Sequence, residues 1–163
     1  MPFTPFHLGP GALCKAAGGD RFSFMVFGGA QVMMDLEPGL RMLAASPVLH
    51  GPSHTLAGAV AIGAVAAVIG KPVSEFVLRR SGLRHRPMRW SASVLGAAVG
   101  TLSHVLLDAL VHADMTPGYP LGDGNPLLGL LSLPALQDLC IALGLLGGLG
   151  VAWRYRDRLP GIS

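Results

Sequence analysis

His104, Asp108 and His112 stand four residues apart in the stretch Thr101–Asp114. On a helix they share one face, drifting by about 40° per step. Imidazole and carboxylate together suit Zn²⁺, Mn²⁺ or Fe²⁺, whereas Mg²⁺ and Ca²⁺ prefer an all-oxygen shell. The residues before and between these three are mostly Ala, Leu, Val and Gly. Ionisable groups at the end of such a helix are costly in lipid. Where they occur they face a bundle interior and mark a functional site. The stretch reads as half of a metal centre.

Composition says what kind of scaffold must supply the other half. The chain has 163 residues, enough for a single domain, 1–163; 51% are hydrophobic and 13% charged. Its mean hydropathy is +0.53. Soluble domains carry about 25% charged residues, so the deficit points to a polytopic membrane protein. The 23 glycines, many inside apolar runs, fit close packing of membrane helices. A net charge of +3 and a pI of 9.3 raise nucleic acid as a partner. The basic residues, however, cluster in loops between apolar segments, which is the positive-inside pattern and argues against nucleic acid. Cys14 and Cys140 form neither a disulfide framework nor a thiolate metal pattern. No basic region precedes the first apolar stretch, so a cleaved signal peptide is not expected.

The predicted fold is all-α: an integral membrane bundle of four main helices plus a short N-terminal half-helix. The half-helix, 5–15, starts at Pro5 with Thr4 as its cap and ends at the turn Gly18-Gly19-Asp20-Arg21. At about 12 residues it rises about 18 Å, short of the roughly 30 Å hydrocarbon core. The spans are 22–35, 55–70, 91–113 and 133–153. Asp35-Leu36-Glu37-Pro38 closes the first, Gly70-Lys71-Pro72 closes the second, and Pro134 opens the last. Loop 71–90 holds Lys71, Arg79, Arg80, Arg84, Arg86 and Arg89, with His85 among them, against Glu75 alone. This loop is placed in the cytoplasm. The C-terminus, with Trp153, Arg154, Arg156 and Arg158, then falls on the same side, as do Lys15 and Arg21.

That topology gathers the chemistry at the outer side. Asp35 and Glu37 follow the first span, and His50 and His54 precede the second. His104, Asp108, His112 and Asp114 end the third, and His7 joins them if its half-helix descends from that side. More than four such ligands suggest two metals, which at about 3.5–4 Å apart clamp both oxygens of a displacement on a phosphoester. Asp35 or Asp108 would ligate or bridge, and a spare carboxylate, Glu37 or Asp114, would act as base. For His112 and Asp114, metal binding, substrate contact and helix capping all stay open. Gln31, Gln137 and Asp138 fit supporting or interhelical hydrogen bonds, with Gln31 and Asn125 as further site candidates. Thr101 and Ser103 are expected to bond back to helix carbonyls.

Four motifs in order resemble the small inner-membrane proteins described as predicted membrane-bound metal-dependent hydrolases. They are His7-Leu8-Gly9-Pro10-Gly11, Asp35-Leu36-Glu37, His50-Gly51-Pro52-Ser53-His54-Thr55 and His104-Val105-Leu106-Leu107-Asp108. The loop lacks that family's Arg and has one residue fewer between its histidines, and the second acid is Glu37 rather than Asp. The resemblance implies an inner-membrane location and divalent-metal binding by His7, Asp35, His50, His54, His104 and Asp108.

The expected function is membrane-embedded hydrolysis of a phosphoester or lipid-linked substrate at the outer leaflet, with one or two Zn²⁺ and a membrane lipid as partner. Two other classes compete. A haem-binding electron carrier would use axial histidines without adjacent carboxylates. A divalent-metal transporter or sensor would need polar groups through the membrane thickness, where the inner halves of 55–70 and 91–103 are almost wholly apolar.

Overall fold

Ser23, Thr55 and Ser132 each start a helix by accepting a hydrogen bond from an amide three residues on: Val26 N at 3.2 Å, Gly58 N at 3.0 Å and Ala135 N at 3.4 Å. Such caps satisfy amides that the first helical turn leaves without partners. The computed structural model describes residues 4–81 and 87–158, and every regular element among them is helical. The helices are α1 Thr4–Gly18, α2 Phe24–Leu43, α3 Leu56–Arg80, α4 Trp90–Ala109 and α5 Leu133–Tyr155. Three of them, α3, α4 and α5, are long and apolar enough to cross a membrane. His85, with Arg84 and Arg86, lies outside the described residues.

The helices differ from the expected spans at their ends, for identifiable reasons. α2 does not stop at Asp35 but runs through Pro38 to Leu43. Proline removes one intrahelical hydrogen bond. Here Pro38 is buried, and Arg41 pairs with Glu37 one turn earlier at 2.8 Å. With Asp35, Glu37 and Arg41 on it, α2 is not among the three helices apolar enough to span. α3 likewise passes Pro72 and reaches Arg80, with Lys71 paired to Glu75 at 2.6 Å and lying over the Trp90 ring. The basic connection is correspondingly shorter than 71–90. α1 includes Thr4 and extends to Gly18.

α4 ends at Ala109, earlier than the expected 113. His112 therefore sits just past the helix, its amide donating to the Asp108 carbonyl at 2.9 Å. Asn125 closes this end, donating to the carbonyls of Ala109 and His112 at 2.8 and 3.1 Å. Its amide caps the helix beside His112.

α1 packs chiefly on α5, α3 on α4, and α2 against both α3 and α4. Small residues make these approaches possible. Ala30, Ala66, Ala67 and Ala97 form one core between α2, α3 and α4, and Ala59 and Ala109 lie in another. A Cβ on Gly9 would collide with the Cys140 carbonyl, and one on Gly147 with the Leu13 amide. We expect Gly147→Leu to cost about 1–3 kcal/mol by overpacking α1 against α5. Gly148→Leu, where nothing lies within 4 Å, should leave the thermal midpoint in detergent unchanged. Alternating helix directions place the segments around His7, Asp35, His50, His104 and Asp114 at one end of the bundle. Lys15–Met25, Met88–Ala92 and Trp153–Asp157 lie at the other.

Candidate metal centre

Asp108 is the focus of that first end. It lies on the last turn of α4, and its side chain is only 5% exposed. Around its Oδ2 stand the Nε2 atoms of His104 at 3.2 Å, His54 at 3.5 Å and His50 at 3.9 Å. Around its Oδ1 stand those of His7 at 3.5 Å and His112 at 3.8 Å. Asp35 joins from α2, its Oδ1 3.3 Å from His104 Nε2. Four helices and loops far apart in sequence thus deliver five imidazoles and two carboxylates to one place.

Apart from the His104–Asp108 contact, these separations exceed good hydrogen bonds, which cluster at about 2.7–3.2 Å. They match something else. Two ligands held at about 2.0–2.1 Å on one tetrahedral ion lie about 3.4 Å from each other. The unsatisfied atoms agree: Nε2 of His7, His54, His104 and His112 and Oδ1 of Asp108 are buried without a hydrogen-bond partner. Buried polar atoms are rarely left so, and each of these four nitrogens lies within 4 Å of the Asp108 carboxylate. Two groups of donors can each hold a metal ion: Asp35, His54, His104 and Asp108, and His50, Asp108 and His112. Asp108 belongs to both. The residues fit divalent-metal binding, and no thiolate lies among them.

No protein-family model, curated protein or solved structure matches this chain. The cluster's chemistry follows from its own donors and their surroundings.

The outer nitrogens of three histidines are held in the orientation a ligand needs. His104 Nδ1 meets Gln31 Oε1, while Gln31 Nε2 donates to the Gly100 carbonyl at 3.1 Å. His54 Nδ1 lies 2.8 Å from Ser53 Oγ, whose hydroxyl donates to Glu37 Oε2. Ser53 must then accept from His54 Nδ1–H. His50 Nδ1 lies 2.8 Å from Asp114 Oδ1. In each case the proton on Nδ1 leaves the Nε2 lone pair facing Asp108, and for His50 the Asp114 carboxylate makes the ring a better donor.

Glu37 and Asp114, expected as bases, are therefore committed elsewhere. Glu37 accepts from Arg41 Nε at 2.9 Å through Oε1 and from the Ser53 amide at 2.8 Å through Oε2. Asp114 Oδ2 accepts from the amides of Leu49 and His50 at 2.9 and 3.1 Å. Both carboxylates clamp the histidine loop onto the bundle. Gly51 is the residue that lets Glu37 so close, because any Cβ there would run into its carboxylate and the Arg41 guanidinium. Burial opposes charge on Asp114, but the bonds from the His50 ring and the two amides prevail and hold its carboxyl at about 2. Burial pushes the His54 and His112 imidazoles below their ordinary value, so both are neutral, metal-competent donors near pH 7. We expect Asp114→Asn to retain full metal occupancy at saturation while raising the dissociation constant about 10–100-fold, as loss of an outer-shell partner does. Isothermal titration with Zn²⁺ reads both quantities.

Ser53, not singled out in the sequence, is the missed member of this outer ring; its place between two histidines was the available signal. Thr101 and Ser103 bond back to the carbonyls of Ala97 and Gly100 at 3.3 and 3.2 Å. Asp138 is exposed on α5, and Gln137 stands on that same helix, which lends no residue to the cluster.

Proposed function

We propose that the chain is a multi-pass membrane hydrolase that uses divalent metal, one or two Zn²⁺ with Mn²⁺ or Fe²⁺ as substitutes, on a phosphoester or lipid-linked substrate. The observation that carries this reading is the carboxylate of Asp108, shared by two donor groups and ringed by five imidazoles. Ions held there would supply Lewis acidity and a hydroxide nucleophile near neutral pH. His54, His104, Asp35 and Asp108 would hold one, and His50, His112 and Asp108 the other, with His7 against Asp108 Oδ1. Asp35 is the cluster's open edge: its side chain is 36% exposed, and Val32 and Leu36 beside it are 57% exposed. An opening flanked by apolar residues suits a substrate that arrives from the bilayer.

In this reading α2 makes a fourth crossing beside α3, α4 and α5, and α1 is the half-helix. Arg79, Arg80, Arg89, Arg154 and Arg156 gather at the end away from the cluster, which supports a cytoplasmic position for that end and, with it, a metal centre at the outer face of the inner membrane. The competing classes are less well supported. The His50 ring centroid lies 4.8 Å from that of His54 and 4.3 Å from that of His112, too close for a porphyrin to enter between them. Deeper in the bundle, Thr101 and Ser93 spend their hydroxyls on the carbonyls of Ala97 and Ala67, which leaves a one-sided site rather than a pathway for ions.

The reaction is tested on purified, Zn²⁺-loaded protein with p-nitrophenyl phosphate, bis-p-nitrophenyl phosphate, phosphatidic acid and an isoprenyl pyrophosphate. Turnover that chelator stops and Zn²⁺ restores is expected for at least one. Turnover indifferent to chelator, or none across the set with metal bound, overturns the hydrolase reading.

A further inference from the structure

At the end of the bundle opposite Asp108, a cavity of about 1810 Å³ opens between the ends of α1, α3 and α5 and the starts of α2 and α4. Lys15, Arg21, Arg89, Arg154 and Arg156 line it. Two of these cations hold the fold: Lys15 donates to the carbonyls of Gly19 and Phe22 at 2.8 and 3.1 Å, and Arg154 to those of Ala16 and Ala17 at 3.0 and 3.4 Å. The two acids in the wall do not balance them. Asp20 already accepts from the Tyr155 hydroxyl at 2.8 Å, and Asp157 lies beside Arg156 at 3.6 Å. The guanidiniums of Arg21 and Arg89 have no hydrogen bond or ion pair among the described residues. Two uncommitted guanidiniums facing one cavity are an anion site waiting for charge, because guanidinium matches phosphate in geometry as well as sign.

The wall is not polar throughout. Phe24, Met25 and Trp153 belong to it, and Trp153 is 70% exposed at its rim. From Trp153 an exposed apolar face continues along α5 through Leu149, Leu146 and Leu145. A bare anion needs no such face, and the volume exceeds what one requires. We propose that this cavity seats the headgroup of an anionic phospholipid, its phosphate on Arg21 and Arg89 and its acyl chains along the apolar side of α5. Basic pockets between membrane helices on the cytoplasmic side take such headgroups. The proposal rests on the chain spanning a membrane and is independent of the metal chemistry.

The test uses the full chain in an uncharged detergent, with thermal midpoint and native mass spectrometry as readouts. Phosphatidylglycerol should raise the midpoint by several degrees and remain bound at one per chain, while phosphatidylcholine and inorganic phosphate do neither. Arg21→Gln with Arg89→Gln should lose the bound lipid and the shift, and Arg21→Lys with Arg89→Lys should keep most of both. The unpartnered pair is chosen so that the lipid-free midpoint and the zinc content stay at the parent's values. If the Gln pair lowers that midpoint, the count of retained lipid still decides. An equal effect of phosphatidylcholine, an equal shift with phosphate, or lipid retained by the Gln pair overturns the proposal. Retention of the chain in alkaline-washed membranes reads membrane placement separately.

Discussion

Asp108→Asn should strip the chain of bound divalent metal and, with it, of any metal-dependent turnover. The substitution keeps the volume of the side chain and removes its charge. Losing an outer-shell partner alone costs about 10–100-fold in metal affinity, so losing the carboxylate common to both donor groups should cost more. A change at Asp35 or at His112 touches only one group and should spare part of the metal. Elemental analysis of the three proteins, purified in parallel, distinguishes a shared bridge from two unrelated sites. Asp108→Asn with its full metal content would mean that the bridge is misassigned.

Removal of metal should also loosen the fold. Five imidazoles and two carboxylates are gathered from α1, α2, the loop before α3, and the end of α4. An ion that joins them binds the folded chain and not the unfolded one. At free metal about 1,000 times the dissociation constant, such an ion stabilises by about 4.1 kcal/mol. For a chain of this size that corresponds to roughly 8–16 °C in thermal midpoint, at about 2–4 °C per kcal/mol. Chelation should lower the midpoint by that order, Zn²⁺ should restore it, and Asp108→Asn should respond to neither. A midpoint unmoved by chelator would show that the cluster is held by its hydrogen bonds alone.

Much of this centre was legible in the residues. The four-residue spacing of His104 and Asp108 gave one helix face, and alternating basic loops indicated that His50, His54 and Asp35 belonged at the same end. Two things were not legible. Pro38 and Pro72 read as stops, because a proline's lost hydrogen bond is visible in a sequence, whereas the burial of Pro38 and the ion pair beside each proline are not. The roles of Glu37 and Asp114 were hidden for a different reason. An acid near histidines reads as a base, but Asp114 meets His50 across 64 positions and Glu37 meets Ser53 across 16. Only the folded chain shows that both carboxylates already accept hydrogen bonds from the histidine loop. Gln31 is the opposite case: an amide in an apolar helix must find partners, and it finds His104 and the Gly100 carbonyl.

X-ray absorption at the metal edge of the purified protein bears most directly on the claim that distant parts of the chain converge on one cation. A shell of nitrogen and oxygen donors at about 2.0–2.2 Å, with the outer-shell scattering of several imidazoles, is the predicted spectrum. His104→Ala and His54→Ala should each weaken that imidazole signal. A sulfur shell near 2.3 Å, a spectrum of oxygen donors without imidazole, or protein that takes up no metal would contradict it.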